Sequence, residues 1–190
     1  MQDDQESMLV LHGFGQSIAR CQHYNEHLLK RLGKRYKLNF AEGKFPATGF
    51  RPEELSWWNT SDVIGDLTQR RNVVTDQLVQ SVQPADVIMG FSQGANLLLH
   101  CLERRPGICK VAVVCCGMQG NAFRKEGARI DCPVVFVFGE KDPFVLAEHR
   151  EELKKIATRS RTIMHPGGHF IPQSSAFVSE LCAAIDEISK

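Results

Sequence analysis

Asp86-Val87-Ile88-Met89-Gly90-Phe91-Ser92-Gln93-Gly94-Ala95-Asn96-Leu97-Leu98-Leu99 passes from an apolar segment, through a serine flanked by glycines, into a leucine-rich segment with helical spacing. Strand, tight turn and helix in that order form the context in which Gly-x-Ser-x-Gly builds a nucleophile elbow. The glycines are needed because neighbouring backbone closes on the turn and leaves no room for Cβ atoms, while the strained serine is lifted clear of the sheet. The competing reading is a glycine-rich turn in which the Ser92 side chain caps the helix.

Outward from this segment, short apolar runs recur at Met8–Leu11, Tyr36–Phe40, Val111–Cys115, Val134–Phe138 and Thr162–Met164, so that six strands are expected with Asp86–Met89. Their near-continuous hydrophobicity suits strands covered by helices on both faces. Helical spacing lies between them. Cys21, Tyr24, Leu28, Leu29 and Leu32 fall at three- and four-residue steps before Gly33; Asp62–Val82, Ala95–Leu102, Val145–Ile156 and Phe177–Ile188 read likewise. Alternating strands and helices imply crossover units, hence an α/β fold with a mainly parallel sheet. No repeat or linker divides residues 1–190, and one domain is expected. The Gly-, Pro- and Trp-rich stretch Ala41–Thr60 fits neither period and reads as an ordered loop over the site.

The same logic locates partners for Ser92. Val134–Phe138 is followed by Gly139-Glu140-Lys141-Asp142-Pro143, which puts Asp142 just past the end of a strand. There it could accept a hydrogen bond from a histidine and fix its tautomer; a plain Asp-Pro turn with Asp142 as helix cap is the alternative. Glu140 is the fallback acid, and Asp131 falls before its strand, at the wrong end. Met164-His165-Pro166-Gly167-Gly168-His169-Phe170 offers two histidines. His169 is preferred because two glycines allow its loop to turn back over the elbow, whereas His165 is still at a strand end before a rigid proline. Chain order Ser, Asp, His, each after a strand, is that of the α/β-hydrolase triad.

Leu11-His12-Gly13-Phe14-Gly15-Gln16 follows the first strand, so its amides can face the same carboxyl-end crevice. An oxyanion needs donors fixed in advance, and these are assigned to the backbone N–H groups of Gln93 and Phe14. His12 precedes the elbow and reads as a histidine tying down the loop. Phosphate binding is a poor alternative, because Gly13-Phe14-Gly15 lacks a third glycine and no P-loop Lys-Ser/Thr pair follows. Phe14, Phe50, Trp57, Trp58, Phe144, Val145 and Phe170 are apolar residues of loops expected to rim the crevice.

Composition narrows the partners. With 23 Lys and Arg against 22 Asp and Glu, the net charge of +1 supplies no field for nucleic acid or anionic membrane. No apolar run approaches the roughly 20 residues of a spanning helix. The acidic first residues are unlike a signal or transit peptide, so a cytoplasmic location is expected. Seven cysteines without paired metal-ligand spacing suit neither a zinc site nor a disulfide framework. Adjacent Cys115-Cys116 admits a redox reading, against which stands the commoner case of small buried cysteines in a strand.

These motifs together resemble the small FSH-type serine hydrolases, near the phospholipase/carboxylesterase and acyl-protein thioesterase branch of the α/β-hydrolases. The carriers are Leu11–Gln16, Gly90-Phe91-Ser92-Gln93-Gly94-Ala95, Gly139–Pro143, Gly167-Gly168-His169 and the pair Trp57-Trp58. The resemblance spans nearly the whole chain. It implies hydrolysis of a small carboxylic ester through Ser92, Asp142 and His169, with no metal or organic cofactor. A thioesterase with the same residues and a non-catalytic binder of the same fold are the alternatives. The sequence departs from larger α/β-hydrolases in starting at the strand before the oxyanion loop, and it has no residues for a large cap domain. It leaves the oligomeric state open.

Overall fold

The six apolar runs do form one sheet. A computed structural model of the chain describes residues 5–47, 49, 51–58, 74–118 and 129–190. Its strands are β1 (Ser7–Leu11), β2 (Lys37–Ala41), β3 (Phe45–Pro46), β4 (Leu55–Ser56), β5 (Val87–Phe91), β6 (Val111–Cys115), β7 (Val134–Gly139) and β8 (Ser160–His165). Six of them pair side by side in the order β2-β1-β5-β6-β7-β8, every pairing parallel. Connections between parallel neighbours run through α1 (Ile18–Tyr24), α2 (Glu26–Leu32), α3 (Asp76–Ser81), α4 (Gln93–Arg104) and α5 (Ala147–Ile156), and α6 (Ser175–Ile188) closes the chain.

The two-residue period of the strands divides the core into two layers. Leu9, Leu11, Ile88, Ala112, Val114, Val134, Phe136 and Phe138 point to the side covered by α3, α4 and α5. Met8, Val10, Val87, Met89, Val111, Val113, Cys115, Val135 and Val137 point to the side covered by α1, α2 and α6. This is the α/β-hydrolase arrangement, and among the described residues no cap domain stands over it. Nor, among those residues, is any helix long and apolar enough to cross a membrane.

Two elements depart from the sequence reading, and a third lies largely outside the described residues. The helix expected before Gly33 is broken at Asn25, whose side-chain amide donates to the Cys21 carbonyl at 2.9 Å and stops the first helix there. The helix expected over Asp62–Val82 is described only as α3, since residues 59–73 lie outside the described part. Within Ala41–Thr60, β3 and β4 form a small antiparallel hairpin. Its position is fixed by Gly15 N–H donating to the Leu55 carbonyl at 3.0 Å and Leu55 N–H donating to the Gln16 carbonyl at 3.1 Å. Glu54, buried on this hairpin, is ion-paired with Arg20 of α1.

Candidate active site

The turn between β5 and α4 carries Ser92 with φ 51° and ψ −113°, in the region that L side chains seldom occupy. Such a backbone costs on the order of 1–3 kcal/mol. Burial of Leu97, Leu98, Leu99 and Leu102 on α4, each no more than 4 % exposed, stabilises the same segment by about 6–12 kcal/mol in total. The helix therefore holds the turn in place. Ser92 stands at the N-cap position, yet its side chain makes no cap hydrogen bond, which removes the capping explanation for this serine. Its N–H donates to the Cys115 carbonyl at 2.9 Å and pins the turn to β6.

The elbow glycines are required by close approach. A Cβ on Gly90 would lie 2.5 Å from the Gly94 carbonyl oxygen, and one on Gly94 would lie 2.4 Å from the Leu11 oxygen and 2.5 Å from the His12 oxygen. Backbone atoms there cannot swing aside. Gly94→Ala is expected to destabilise the fold by about 2 kcal/mol and lower Tm by roughly 4–8 °C in a thermal melt; an unchanged Tm would contradict this packing.

Three loops at the carboxyl edge bring Ser92, His169 and Asp142 together. His169 Nε2 lies 2.9 Å from Ser92 Oγ, and His169 Nδ1 lies 2.7 Å from Asp142 Oδ2. An ionised carboxylate only accepts, so Nδ1 carries the ring proton and Nε2 accepts from the Ser92 hydroxyl. Asp142 Oδ1 accepts from the backbone N–H groups of Phe144 at 2.9 Å and Val145 at 3.1 Å. Burial alone raises the Asp142 carboxyl, but the hydrogen bonds from His169, Phe144 and Val145 outweigh it and hold the group below the ordinary carboxylate value. The imidazole sits between two rings, with Phe91 at 5.2 Å and Phe144 edge-on at 5.0 Å between centroids.

The other candidates fall elsewhere. His165 is buried against the Phe170 ring, and its Nδ1 accepts from Gly167 N–H at 3.2 Å. Glu140 is exposed, and Asp131 lies before β7, at the edge away from the site. His12 is buried and ties the loop down: Nδ1–H donates to the Gly13 carbonyl at 2.7 Å, and Nε2 accepts from Gly43 N–H at 2.9 Å. Burial lowers the His12 pKa, so the ring stays neutral, as these bonds require.

A cavity of about 490 Å³ opens beside Ser92 and His169, lined mainly by Phe14, Trp58, Phe91, Met118, Phe144 and Val145. Trp57 and Phe170 do not line it, a correction to the sequence reading. The Trp57 indole turns inward, stacking on His12 at 4.9 Å and donating from Nε1 to the His12 carbonyl at 2.8 Å. The Phe170 ring leans on His165 and is half-exposed. Phe50 lies outside the described residues.

Two features of Gln93 and α4 were missed in the sequence. The Gln93 side chain accepts from Trp57 N–H at 2.9 Å and donates to the Trp58 carbonyl at 3.4 Å, which holds the tryptophan pair over the elbow. Asn96, one helical turn after Ser92, reaches the cavity and accepts from Met118 N–H at 2.7 Å. Its four-residue spacing from Ser92 was the available signal. Cys116 also lines the cavity, and its place just past β6 marks it as a carboxyl-end residue.

A parallel sheet with a serine elbow after one strand, and an acid and a histidine after later ones, defines an α/β-hydrolase. The chain belongs to the FSH1 serine hydrolase family, whose model matches residues 1–181. It is 33% identical over 122 residues to "Family of serine hydrolases 3" of Saccharomyces cerevisiae, covering 56% of this chain and 46% of that protein. It is 30% identical over 108 residues to "Esterase OVCA2" of Danio rerio, covering 52% and 48%. The matched part spans about half the length of these two relatives. Among solved structures, YahD with malic acid superposes with a TM-score of 0.73 at 16% identity, over 96% of this chain and 95% of that one, a likeness of fold.

Proposed function

We propose that the protein is a serine esterase that cleaves carboxylic esters through an acyl-enzyme. The observation that carries this reading is the continuous relay from Ser92 Oγ through His169 to Asp142, at 2.9 and 2.7 Å, beside an apolar cavity. His169 Nε2 takes the hydroxyl proton as Ser92 Oγ attacks the ester carbonyl. Asp142 stabilises the imidazolium that forms and keeps the ring oriented. The oxyanion is received by the backbone N–H groups of Gln93, at the start of α4, and Phe14. The imidazolium then protonates the departing alcohol, and water repeats the sequence on the acyl-enzyme to release the acid.

The cavity volume suits a short or medium acyl group, since pockets of about 300–1,000 Å³ hold small ligands. A panel of p-nitrophenyl esters graded by acyl length tests the proposal. Turnover that peaks at short to medium chains is expected, with Trp58→Ala raising KM for the longer ones. Matched thioesters run alongside rank ester against thioester. Absence of turnover on the whole panel together with absence of fluorophosphonate labelling would overturn the enzyme reading and leave a binder.

A further inference from the structure

Cys109 and Cys132 lead into β6 and β7 at the amino-terminal edge of the sheet, the edge opposite to that of Ser92, Asp142 and His169. Their sulfurs lie 3.6 Å apart, and among the described residues no other two cysteine sulfurs make such a contact. The Ala112 N–H donates to the Pro133 carbonyl at 2.9 Å, which fixes the two lead-in segments side by side just beyond the cysteines. The Cys132 sulfur also lies 3.6 Å from the Cys109 carbonyl oxygen and 3.5 Å from that of Pro133. Cys109 is 8 % exposed, whereas Cys132 is only partly buried, so that a small oxidant reaches Cys132 more readily.

We propose that Cys109 and Cys132 form a reversible disulfide when the folded protein meets a peroxide, with Cys132 as the sulfur that reacts first. The Cys132 thiolate attacks one peroxide oxygen, the O–O bond breaks and hydroxide leaves, which gives a sulfenic acid. The Cys109 sulfur then attacks the sulfenic sulfur; its proton and the sulfenic hydroxyl depart as water, and the S–S bond forms. Two thiols thus lose two electrons, and one peroxide is reduced to two waters. The order of the steps follows from the surroundings. Contact with Cys109, the Ala112 N–H and the charge of Arg159 together outweigh burial and hold the Cys132 thiol below its ordinary value. The same contact, then burial, push Cys109 up, so that it keeps its proton until the second step. Burial pushes up the thiols of Cys21, Cys101, Cys115, Cys116 and Cys182, which makes them slower to react. To bond, the sulfurs close from 3.6 Å to about 2.05 Å, a shift that side-chain rotation supplies where the backbones are already adjacent.

Because the pair stands apart from the relay, its oxidation is independent of the esterase reading and is read without turnover. The folded protein is treated with hydrogen peroxide and examined by intact mass and by tryptic mapping without reduction. The expected result is a loss of two hydrogen atoms per chain, with the peptide spanning residues 105–110 joined to that spanning 130–141, each of which holds one cysteine. Dithiothreitol should restore the original mass. The bond closes a 23-residue loop, so Tm of the oxidised protein should rise by about 5 °C. In Cys109→Ser the mass loss should vanish and dimedone should capture a sulfenic acid on Cys132. In Cys132→Ser the mass loss should also vanish, and Cys109 should stay unmodified. Conversion of Cys132 to sulfinic acid without a mass loss in the unaltered protein, a bond that joins other cysteines, or an oxidised Tm below the reduced one would overturn the proposal.

Discussion

Ser92→Ala is expected to lower kcat on a p-nitrophenyl ester by about 10⁴-fold or more, the loss typical when the nucleophile of a serine triad is removed. The fold should survive, because the Ser92 side chain caps no helix and its recorded hydrogen bond is to His169. Alanine also leaves the cavity wall otherwise intact. Steady-state kinetics alongside a thermal melt separate the two effects. Retention of more than about one per cent of turnover in a variant with an unchanged Tm would move the nucleophile elsewhere.

Asp142→Asn carries the second large effect, a kcat loss of roughly 10³–10⁴-fold. Asp142 is the acceptor for His169 Nδ1–H, and both of its oxygens are engaged. An asparagine can turn its amide NH₂ toward Nδ1, which then becomes the acceptor and leaves the proton on Nε2, where it blocks transfer from Ser92. The substitution also has a signature in stability. Because the folded-state pKa of Asp142 is depressed, its contribution to stability is full above the unfolded carboxylate value of about 4 and is lost as pH falls through the lower folded value. Urea unfolding between about pH 4 and pH 2 should therefore lose stability more steeply in the unaltered protein than in Asp142→Asn. Parallel slopes would mean that the hydrogen bonds on this carboxylate do not favour its charged form.

The parts of this molecule that were legible in sequence are those governed by local chemistry. Six apolar runs became six strands: the four central ones, β1, β5, β6 and β7, are buried on both faces and need apolar side chains at nearly every position, whereas the edge strands β2 and β8 keep exposed residues and a weaker pattern. Ser92, Asp142 and His169 could be picked out because each follows one of those strands, and chain order with two glycines separated His169 from His165. What escaped depends on contacts distant in sequence. Strands of two residues, one of them Pro46, carry no periodic signal, and the β3–β4 hairpin is held by Leu55 pairing with Gly15 and Gln16 of the loop after β1. Trp57 and Trp58 are adjacent and chemically alike, but their side chains diverge, one toward His12 and the other toward the cavity. Nothing local distinguishes them. Asn25 breaks a helix whose apolar spacing runs on undisturbed, since a side-chain hydrogen bond to the backbone leaves no mark on hydrophobic period. Cys115 and Cys116 looked equivalent in sequence, and only the end of β6 decides that one packs in the layer under α1, α2 and α6 while the other packs in the opposite layer and lines the cavity.

The most direct test of the central claim is the site of covalent modification by a fluorophosphonate, read by intact mass and then by tandem mass spectrometry of the tryptic fragment spanning residues 72–104. One adduct per chain, localised to Ser92 and absent from Ser92→Ala, is the predicted result. An adduct on another residue, or ester turnover by a protein that takes up no label, would contradict the assignment of Ser92 as nucleophile.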